Sequence, residues 1–360
     1  MSATDNEVEK VAFVAPRMEA RGTNEYVVHL ASELLRRGVD VTVFCAPGPM
    51  LELLADEAIN VETFERLGSR GLKGAERDRF VARLQKYGPQ VIHAQTIPLA
   101  VLLGQMEAGA PVVLTLHAPP ERPRALRSVL PDVAGIVATS QYVREELVNE
   151  YGVDKSSIWM IPNGIDVDAL AKNPVRPIFQ DGTPVIGCMG PVEKARGHEL
   201  FVRAAAQIIK NGKNLQFVVG GEGEELPRLR RLSTELGLDE CLTFVGDFSS
   251  YAEVLEALDV VVQSAQVQVS GFSILDAMAR GRPVIAFNTG TACEIIDSEK
   301  TGLVVPMDDV DALVNAIERL AESPEKARRI GEAGRRAVAE EFNIRHTADS
   351  IMAVYRGLVG

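Results

Sequence analysis

Residues 11–44 read VAFVAPRMEARGTNEYVVHLASELLRRGVDVTVF, and this stretch decides the fold. Val11–Ala15 is a short run of apolar residues only, which is typical of a strand buried on both faces. From Glu25 to Arg37, apolar residues recur at i, i+3 and i+4 spacing, and Gly38 follows as a helix stop. Val41–Phe44 is a second apolar strand. A strand, a helix and a strand in such quick succession predict a βαβ unit and hence a parallel sheet.

The same alternation continues along the chain and restarts after one irregular stretch. Further strands are predicted at 91–94, 112–117, 135–140 and 157–166. Residues 171–184 then combine three prolines with few apolar side chains, as expected of a linker. After it, strands alternate with helices again, at 185–190, 215–221, 242–246, 259–263, 283–287 and 302–306. We therefore predict an α/β protein with two doubly wound, Rossmann-like domains, at 1–172 and 184–342.

Composition excludes several classes of function. The chain has 360 residues, with 38 Lys and Arg against 50 Asp and Glu, and a formal net charge of -12. This acidic balance argues against nucleic-acid binding, which needs cations to neutralise phosphates. The four cysteines are scattered, which excludes both zinc-ligand spacing and a disulfide framework. The polar N-terminus and the lack of a long apolar run predict a soluble, cytoplasmic protein.

The loop after the first strand is the first candidate site, because ligands of such sheets bind outside the carboxyl ends of the strands. Arg21, Gly22 and Thr23 lie there, just before the first helix, whose backbone N–H groups can bind an anion. An ordinary tight turn is the alternative. The loop lacks a GxGxxG fingerprint, and the second strand ends in Cys45 instead of an acidic residue that would hold a ribose. A dehydrogenase is therefore disfavoured.

The second domain carries a stronger phosphate-binding pattern. Its first strand ends in GPVEKARG (190–197), so that Gly190, Lys194 and Arg196 precede a predicted helix. Two cations beside a helix start suit a diphosphate, whose charge must be neutralised. Gly221 closes the next strand, and the lack of a side chain there allows a ligand to approach closely.

A second helix start follows in SGFSILDAMARGRPVIAF (270–287). Ser270, Gly271 and Phe272 would offer backbone N–H groups to the same diphosphate. Asp276 lies about one turn into this helix, where its carboxylate would accept hydrogen bonds from both hydroxyls of a ribose.

The ordered set of motifs resembles the retaining GT-B glycosyltransferases of family four, also called group 1, over most of the chain. The segment IPNGID (161–166) precedes the linker, and GPVEKARG is similar to the segment that grips the donor diphosphate. QVSGFSILDAMARGRPVI (268–285) is similar to the family's glutamate-x7-glutamate segment with its following helix and strand. TGTACEII and TGLVVP (289–306) match in the same order.

Five positions depart from the family pattern, and one of them is Arg21, which with Gly22 stands where the family has paired glycines in the first loop. The first glutamate falls on Gln268 and the second on Asp276, while the diphosphate arginine falls on Pro191 and the lysine on Arg196. Gln268 can hydrogen-bond a sugar hydroxyl but carries no negative charge. The departures leave two interpretations open, a shifted donor or weakened chemistry.

The resemblance implies a GT-B fold, with a central cleft between an acceptor-binding first domain and a donor-binding second domain, and a last helix at 343–360 that packs back on the first domain. It implies transfer of a sugar from a nucleotide diphosphate sugar to an acceptor hydroxyl, with retention, without a metal and without a further cofactor. His117 and Gln268 would contact the sugar as the catalytic pair. Donor binding would fall to Gly190, Lys194, Arg196, Gly221, Ser270, Gly271, Phe272 and Asp276, and acceptor binding to Arg21, Gly22 and Thr23. The acceptor is a glycan, a lipid-linked sugar or a small molecule.

Two other functions remain open from the sequence. A non-catalytic GT-B protein would bind a nucleotide or glycan and support a partner enzyme, and Pro191 and Gln268 favour it. A nucleotide-sugar epimerase needs acid/base carboxylates near the sugar, and Gln268 removes the obvious one. The sequence names neither the sugar, the base nor the acceptor.

The remaining charged and titratable residues are given ordinary structural interpretations. His93 is predicted to be a hydrogen-bonded core histidine, and His198 a surface residue at a helix end. Asp166 and Asp168 spell the DxD of metal-dependent glycosyltransferases, but at a helix start they are predicted to be caps.

The segment Arg66–Lys86 is basic against the acidic background, and Arg122, Arg124 and Arg127 add charge after His117. A solvated helix face is one interpretation. The other is an anionic acceptor or peripheral contact with the inner face of a membrane.

Overall fold

The computed structural model describes residues 7–19, 22–68, 72–106, 109–120, 123–171, 176–179, 182–246, 251–267 and 270–360. The chain forms two compact units, of which the first comprises Met1–Gly164 with Ile344–Gly360 and the second comprises Ile165–Asn343. The sequence analysis placed these divisions at 172 and 342.

In the described residues of the first unit, seven parallel strands form one sheet in the order β3-β2-β1-β4-β5-β6-β7. The strands are β1 (Lys10–Arg17), β2 (Asp40–Ala46), β3 (Asn60–Thr63), β4 (Val91–Ala94), β5 (Val112–Leu116), β6 (Gly135–Ala138) and β7 (Ile158–Met160). The helices are α1 (Gly22–Arg36), α2 (Leu51–Asp56), α3 (Gly74–Tyr87), α4 (Ile97–Gly104), α5 (Pro123–Val129), α6 (Gln141–Asn149) and the C-terminal α15 (Ile344–Val359).

In the described residues of the second unit, six parallel strands follow the order β10-β9-β8-β11-β12-β13. These strands are β8 (Val185–Met189), β9 (Gln216–Gly220), β10 (Leu242–Val245), β11 (Val260–Gln263), β12 (Val284–Phe287) and β13 (Leu303–Val305). The helices are α7 (Val167–Ala171), α8 (His198–Lys210), α9 (Leu226–Glu235), α10 (Tyr251–Ala257), α11 (Phe272–Ala279), α12 (Gly290–Ile295), α13 (Val310–Ala321) and α14 (Pro324–Glu341).

The central strands are buried and mostly apolar because helices cover both faces of each sheet. All residues of β4, β5 and β6 are buried, and so are all residues of β11 and β12. This is the burial that a parallel sheet between two helix layers requires, and it confirms the predicted fold class.

The strand order reverses once in each sheet, and these reversals determine where ligands can bind. In the first unit the reversal lies between β1 and β4, and in the second between β8 and β11. Loops diverge to opposite faces at such a point, which leaves a crevice at the carboxyl ends of the strands.

The C-terminal helix α15 belongs to the first unit and docks beside α1. Tyr355 places its hydroxyl 2.5 Å from His93 Nδ1, and Arg37 donates to the Asp349 carboxylate over 2.5 Å. Thr347 donates to the Pro162 carbonyl. None of the described helices is both long and apolar enough for a membrane-spanning segment.

Candidate functional site

The loops that follow β8 and β9 touch each other through glycines. Gly190 donates from its backbone N–H to the Gly220 carbonyl at 2.9 Å. Gly221 has φ +129°, and a Cβ atom there would lie 2.0 Å from the Gly190 carbonyl oxygen. The structure therefore shows a reason for Gly221 that the sequence analysis missed, since the missing side chain makes room for another loop as well as for any ligand.

The cations of the β8 loop lie directly before α8. Residues 194–196 form one 3-10 turn, and Gly197, with φ +67°, is the N-cap residue that precedes the helix. A Cβ at Gly197 would meet the Ser264 carbonyl at 1.9 Å, and Ser264 Oγ donates to the Arg196 carbonyl at 3.1 Å. The turn is thus held against the end of β11, at the reversal of the sheet.

This placement concentrates positive charge on one part of the surface of the second unit. Lys194 is exposed, and the Arg196 side chain is 28 % exposed with Glu193 3.9 Å from its Nε. The two cations add to the partial positive charge at the N-terminus of α8.

His198, the first residue of α8, is buried and not on the surface as predicted. It is 3 % exposed, and neither ring nitrogen has a hydrogen-bond partner among the described residues. Burial, together with the nearby charge of Arg196, lowers the pKa of His198 to about 4. The physical reason for the error is helical periodicity, because His198 shares the inward face of α8 with Phe201, Val202 and Ala205.

The start of α11 supplies the next predicted contacts. Gly271 has φ +81°, and a Cβ there would lie 2.6 Å from Ile295 Cδ1. The side chain of Phe272 is buried, so a ligand could contact only the backbone of this residue. Ser270, in contrast, is partly exposed. Gln268 lies outside the described residues.

Asp276 forms an ion pair that the sequence analysis did not foresee. Arg280 Nη1 lies 2.8 Å from Asp276 Oδ1, and the same nitrogen donates to the Asp276 carbonyl at 3.2 Å. Both residues are buried. The i, i+4 spacing on a helix was the available signal. A ribose bound here would share the carboxylate with a guanidinium.

In the first unit, His117 follows β5 and is 6 % exposed. Tyr26 packs edge-on against its ring, with 4.9 Å between centroids and 74° between planes. Burial lowers the pKa of His117 to about 3, although a hydrogen bond with Asn163 acts in the opposite direction. His117 is therefore a neutral imidazole at pH 7 and can exchange hydrogen bonds with a hydroxyl group.

His93 is a hydrogen-bonded core residue, as predicted. It is fully buried, with Tyr355 Oη 2.5 Å from Nδ1 and Thr115 Oγ1 2.5 Å from Nε2. The Phe13 ring stacks on it at 5.2 Å. These contacts indicate that His93 has a structural role in the core.

The predicted acceptor loop borders a cavity of about 400 Å³ in the first unit. Gly22 begins α1, and Thr23 lines the cavity, while Arg21 lies outside the described residues. The neighbouring Asn24, which the sequence analysis did not single out, lines it too.

Several arginine side chains of the basic segment Arg66–Lys86 already form contacts within the first unit. Arg79 donates to the Thr63 carbonyl and lies 4.8 Å above the Phe64 ring. Other contacts join Arg77 to the Gln105 carbonyl and Arg83 to the Glu62 carboxylate. Arg70 and Arg122 lie outside the described residues.

Asp166 of the DxD sequence is a helix cap, as predicted, and Asp168 lies in the first turn of α7. Asp166 lies just before α7, and it accepts a hydrogen bond at 3.0 Å from the backbone N–H of Ala169, which lies within that helix. Over the described residues, no group of three or more His, Cys, Asp or Glu side chains is arranged to hold a metal ion.

Two Rossmann-like units, each with one reversal of strand order, are an architecture that several classes of protein share, among them the GT-B glycosyltransferases. Two family models match: "Glycosyltransferase Family 4" over residues 20–169 and "Glycosyl transferases group 1" over residues 171–337. The chain belongs to the group 1 glycosyltransferases of family 4, a family of sugar-transferring enzymes.

Several similar proteins are named as glycosyltransferases, and the chain spans less than two thirds of the length of some of them. The chain is 27 % identical over 244 residues to the 2-deoxystreptamine glucosyltransferase of Streptomyces kanamyceticus, a match that spans 65 % of this chain and 63 % of that enzyme. A second relative from the same bacterium is matched over 46 % of its length. The D-inositol 3-phosphate glycosyltransferase of Gordonia bronchialis is 24 % identical over 387 residues, 94 % of this chain and 84 % of that one.

A solved structure shows the same fold. Anabaena HepE in complex with UDP-glucose superposes with a TM-score of 0.83 at 21 % identity, over 97 % of this chain and 100 % of that one. At this identity the likeness concerns the fold only.

Proposed function

We propose that this chain transfers a sugar from a nucleotide diphosphate sugar to a hydroxyl group of its acceptor, with retention of configuration and without a metal ion. The single observation that carries the proposal is the cationic turn of Lys194 and Arg196 at the N-terminus of α8. Such a turn neutralises a diphosphate both before and after it leaves the sugar.

The donor would be held by the second unit. Lys194 and Arg196 would bind the diphosphate together with backbone N–H groups near Ser270, Gly271 and Phe272. Asp276 would accept hydrogen bonds from the ribose while it remains paired with Arg280. Gly190 and Gly221 would let the loops of β8 and β9 close on each other beside the diphosphate.

The chemistry would need positioning and charge stabilisation but no protein nucleophile. The bond from the anomeric carbon to the diphosphate oxygen breaks, and the acceptor oxygen forms a new bond to that carbon on the same face. The acceptor proton leaves with the diphosphate. His117, neutral at pH 7, and Gln268 would orient sugar hydroxyls during the step.

Relatives that act on 2-deoxystreptamine and on D-inositol 3-phosphate support a hydroxylated six-membered ring as the acceptor. The predicted acceptor residues Gly22 and Thr23 would contact this ring, together with Arg21.

A donor panel tests the proposal. Binding and hydrolysis of UDP-, GDP-, ADP- and TDP-sugars would be measured with the purified chain, with and without EDTA. We expect one donor to be turned over slowly, unaffected by EDTA. Nucleotide binding without turnover, with turnover restored by Gln268→Glu, would support a non-catalytic protein, and binding of no nucleotide would contradict the donor site.

Cation variants locate the donor site. The double variant Lys194→Ala/Arg196→Ala should weaken nucleotide binding by at least about tenfold, because two charge-assisted contacts are lost. Arg203→Ala is the matched control, since Arg203 is a cation of the same helix that pairs with Glu199. Equal effects of the double variant and the control would contradict this site.

A further inference from the structure

Two consecutive residues at the end of β11 lie at the reversal of the second sheet. Gln263 is the last residue of this strand, and Ser264 follows it. The strand pairs with β8 on one side and with β12 on the other. Successive side chains of a strand point to opposite faces of the sheet, and the connections that leave β8 and β11 diverge to opposite faces as well. Adjacent side chains at this point can therefore reach two different helix starts.

Ser264 reaches the cationic turn before α8. It is fully buried, and its Oγ donates to the Arg196 carbonyl at 3.1 Å. Because this bond uses the single hydrogen of the hydroxyl, the Cys188 thiol, whose Sγ lies 3.3 Å from Ser264 Oγ, is the donor of the second bond. Burial raises the pKa of Cys188 to about 11, so the thiol keeps its hydrogen at pH 7. The Ser264 hydroxyl is thus held in one orientation, towards the backbone of the turn.

The backbone beyond Ser264 adds a second bond to the same turn. Gln266 donates from its backbone N–H to the Ala195 carbonyl at 3.0 Å. Its side-chain Nε2 donates to Asp308 Oδ1 at 2.6 Å, in the loop after β13. Two successive carbonyls of the turn, at 195 and 196, are thereby bound to the end of β11. A displacement of the turn would break both bonds.

Gln263 reaches the start of α11. It is 8 % exposed, and its Nε2 donates to Oγ of Ser273, the second residue of that helix. Ser273 follows directly on residues 270–272, whose backbone N–H groups are assigned to the donor diphosphate. The bond therefore ties this helix start to the same strand end that holds the cationic turn.

We propose that Gln263 and Ser264 are positioning residues that set the spacing between the two diphosphate-binding elements, the turn at 194–196 and the start of α11. A diphosphate can bind both elements at once only when their separation matches the separation of its two phosphates. A monophosphate needs only one element. This inference rests on the proposed function, since both elements are those assigned to the donor. The two residues act through these elements and not on the reacting atoms.

The ratio of diphosphate to monophosphate affinity tests the proposal. UDP, UMP, GDP and GMP would be titrated into the full-length chain by calorimetry. Gln263→Met and Ser273→Ala should each weaken the diphosphate about three- to tenfold and the monophosphate less than about twofold, because each variant removes one hydrogen bond between the elements. Equal weakening of both ligands, or an unchanged diphosphate affinity, would overturn the proposal.

Combined and conservative variants identify the bond. The double variant Gln263→Met/Ser273→Ala should bind the diphosphate no more weakly than either single variant, because both changes remove the same bond. Ser273→Thr keeps the hydroxyl and should retain the wild-type affinity ratio. Additive losses in the double variant, or an equal loss in Ser273→Thr and Ser273→Ala, would contradict the role of this contact.

Ser264→Ala tests the other element. It should lower the ratio of diphosphate to monophosphate affinity about three- to tenfold, because the Arg196 carbonyl loses its donor. Ser233→Ala, which changes another buried serine of the second unit, in α9, is the matched control and should leave the ratio unchanged. The same ratio in both variants would overturn the role of Ser264. If Ser264→Ala does not fold, the variants of Gln263 and Ser273 still decide the proposal.

Nucleotide binding to the unaltered chain separates this proposal from the proposed function. If neither UDP nor GDP binds, the proposed function itself fails. If one of them binds and the variants keep the wild-type ratio, the donor site stands and the positioning role is wrong.

Discussion

At the scale of single residues, Gly221 and His198 of the second unit occupy tightly packed positions that the amino-acid composition alone does not reveal. Gly221 combines a left-handed backbone, at φ +129°, with a neighbouring carbonyl 2.0 Å from its missing Cβ. His198 combines deep burial with ring nitrogens that lack partners in the described chain. Each feature predicts a measurable effect on the free energy of unfolding.

Gly221→Ala should be strongly destabilising. The new Cβ must push the β8 loop away, and alanine is strained at this φ, so we expect a loss of at least about 2 kcal/mol in the free energy of unfolding. Gly212→Ala is the control, since Gly212 has φ +79° but open space around it, and it should cost about 1 kcal/mol. Chemical denaturation measures both, and equal losses would refute the packing role.

The stability of the second unit should fall between pH 7 and pH 5. Burial holds the pKa of His198 at about 4, whereas a histidine in the unfolded chain titrates near its ordinary value. The unfolded state therefore binds more protons in this window, and folding loses about 1–2 kcal/mol per such histidine as pH falls.

His198→Gln tests this pH effect. The difference in unfolding free energy between pH 7 and pH 5 should shrink by about 1–2 kcal/mol in this variant. An unaltered pH dependence in His198→Gln would show that His198 is protonated alike in both states.

At the scale of elements, the sequence predicts the strands well, including the edge strands β7, β10 and β13, but it misses the edge strand β3. The predicted strands at 91–94 and 185–190 correspond closely to β4 and β8, because strands buried on both faces are mostly apolar and stand out in the sequence. Asn60–Thr63 was missed since this edge strand is only half-buried and reads NVET. The helices α2 and α4 were missed as well, whereas a helix face was one of the two interpretations given to the segment that contains α3.

The docking of α15 depends on a buried hydrogen bond that the sequence could not reveal. Tyr355→Phe should lower the free energy of unfolding of the first unit by about 1–3 kcal/mol, because His93 Nδ1 loses its partner in the core. Tyr151→Phe, which loses a partly buried bond to the Pro120 carbonyl, should cost less. Thermal and urea unfolding compare the two, and equal costs would argue against a special role of the His93 contact.

At the scale of the whole molecule, the order of the motifs was enough to identify the family. The contacts between side chains at the site could be described only from the structure. Strand-end motifs could be placed from the sequence because every ligand-facing loop of a parallel sheet follows a strand. The sequence could not predict the pairing of Asp276 with Arg280 or the orientation of Asn24, because each depends on side-chain geometry. Gln268 and Arg21 remain sequence-based assignments.

The central claim is that the second unit binds a nucleotide diphosphate through the β8 loop and the start of α11. Hydrogen–deuterium exchange of the full-length chain, with and without UDP or GDP at saturation, tests it most directly. The account predicts slower exchange of backbone amides at 190–197 and 270–276 and no such change in Lys194→Ala/Arg196→Ala. Protection confined to the first unit, or equal protection in the double variant, would contradict it.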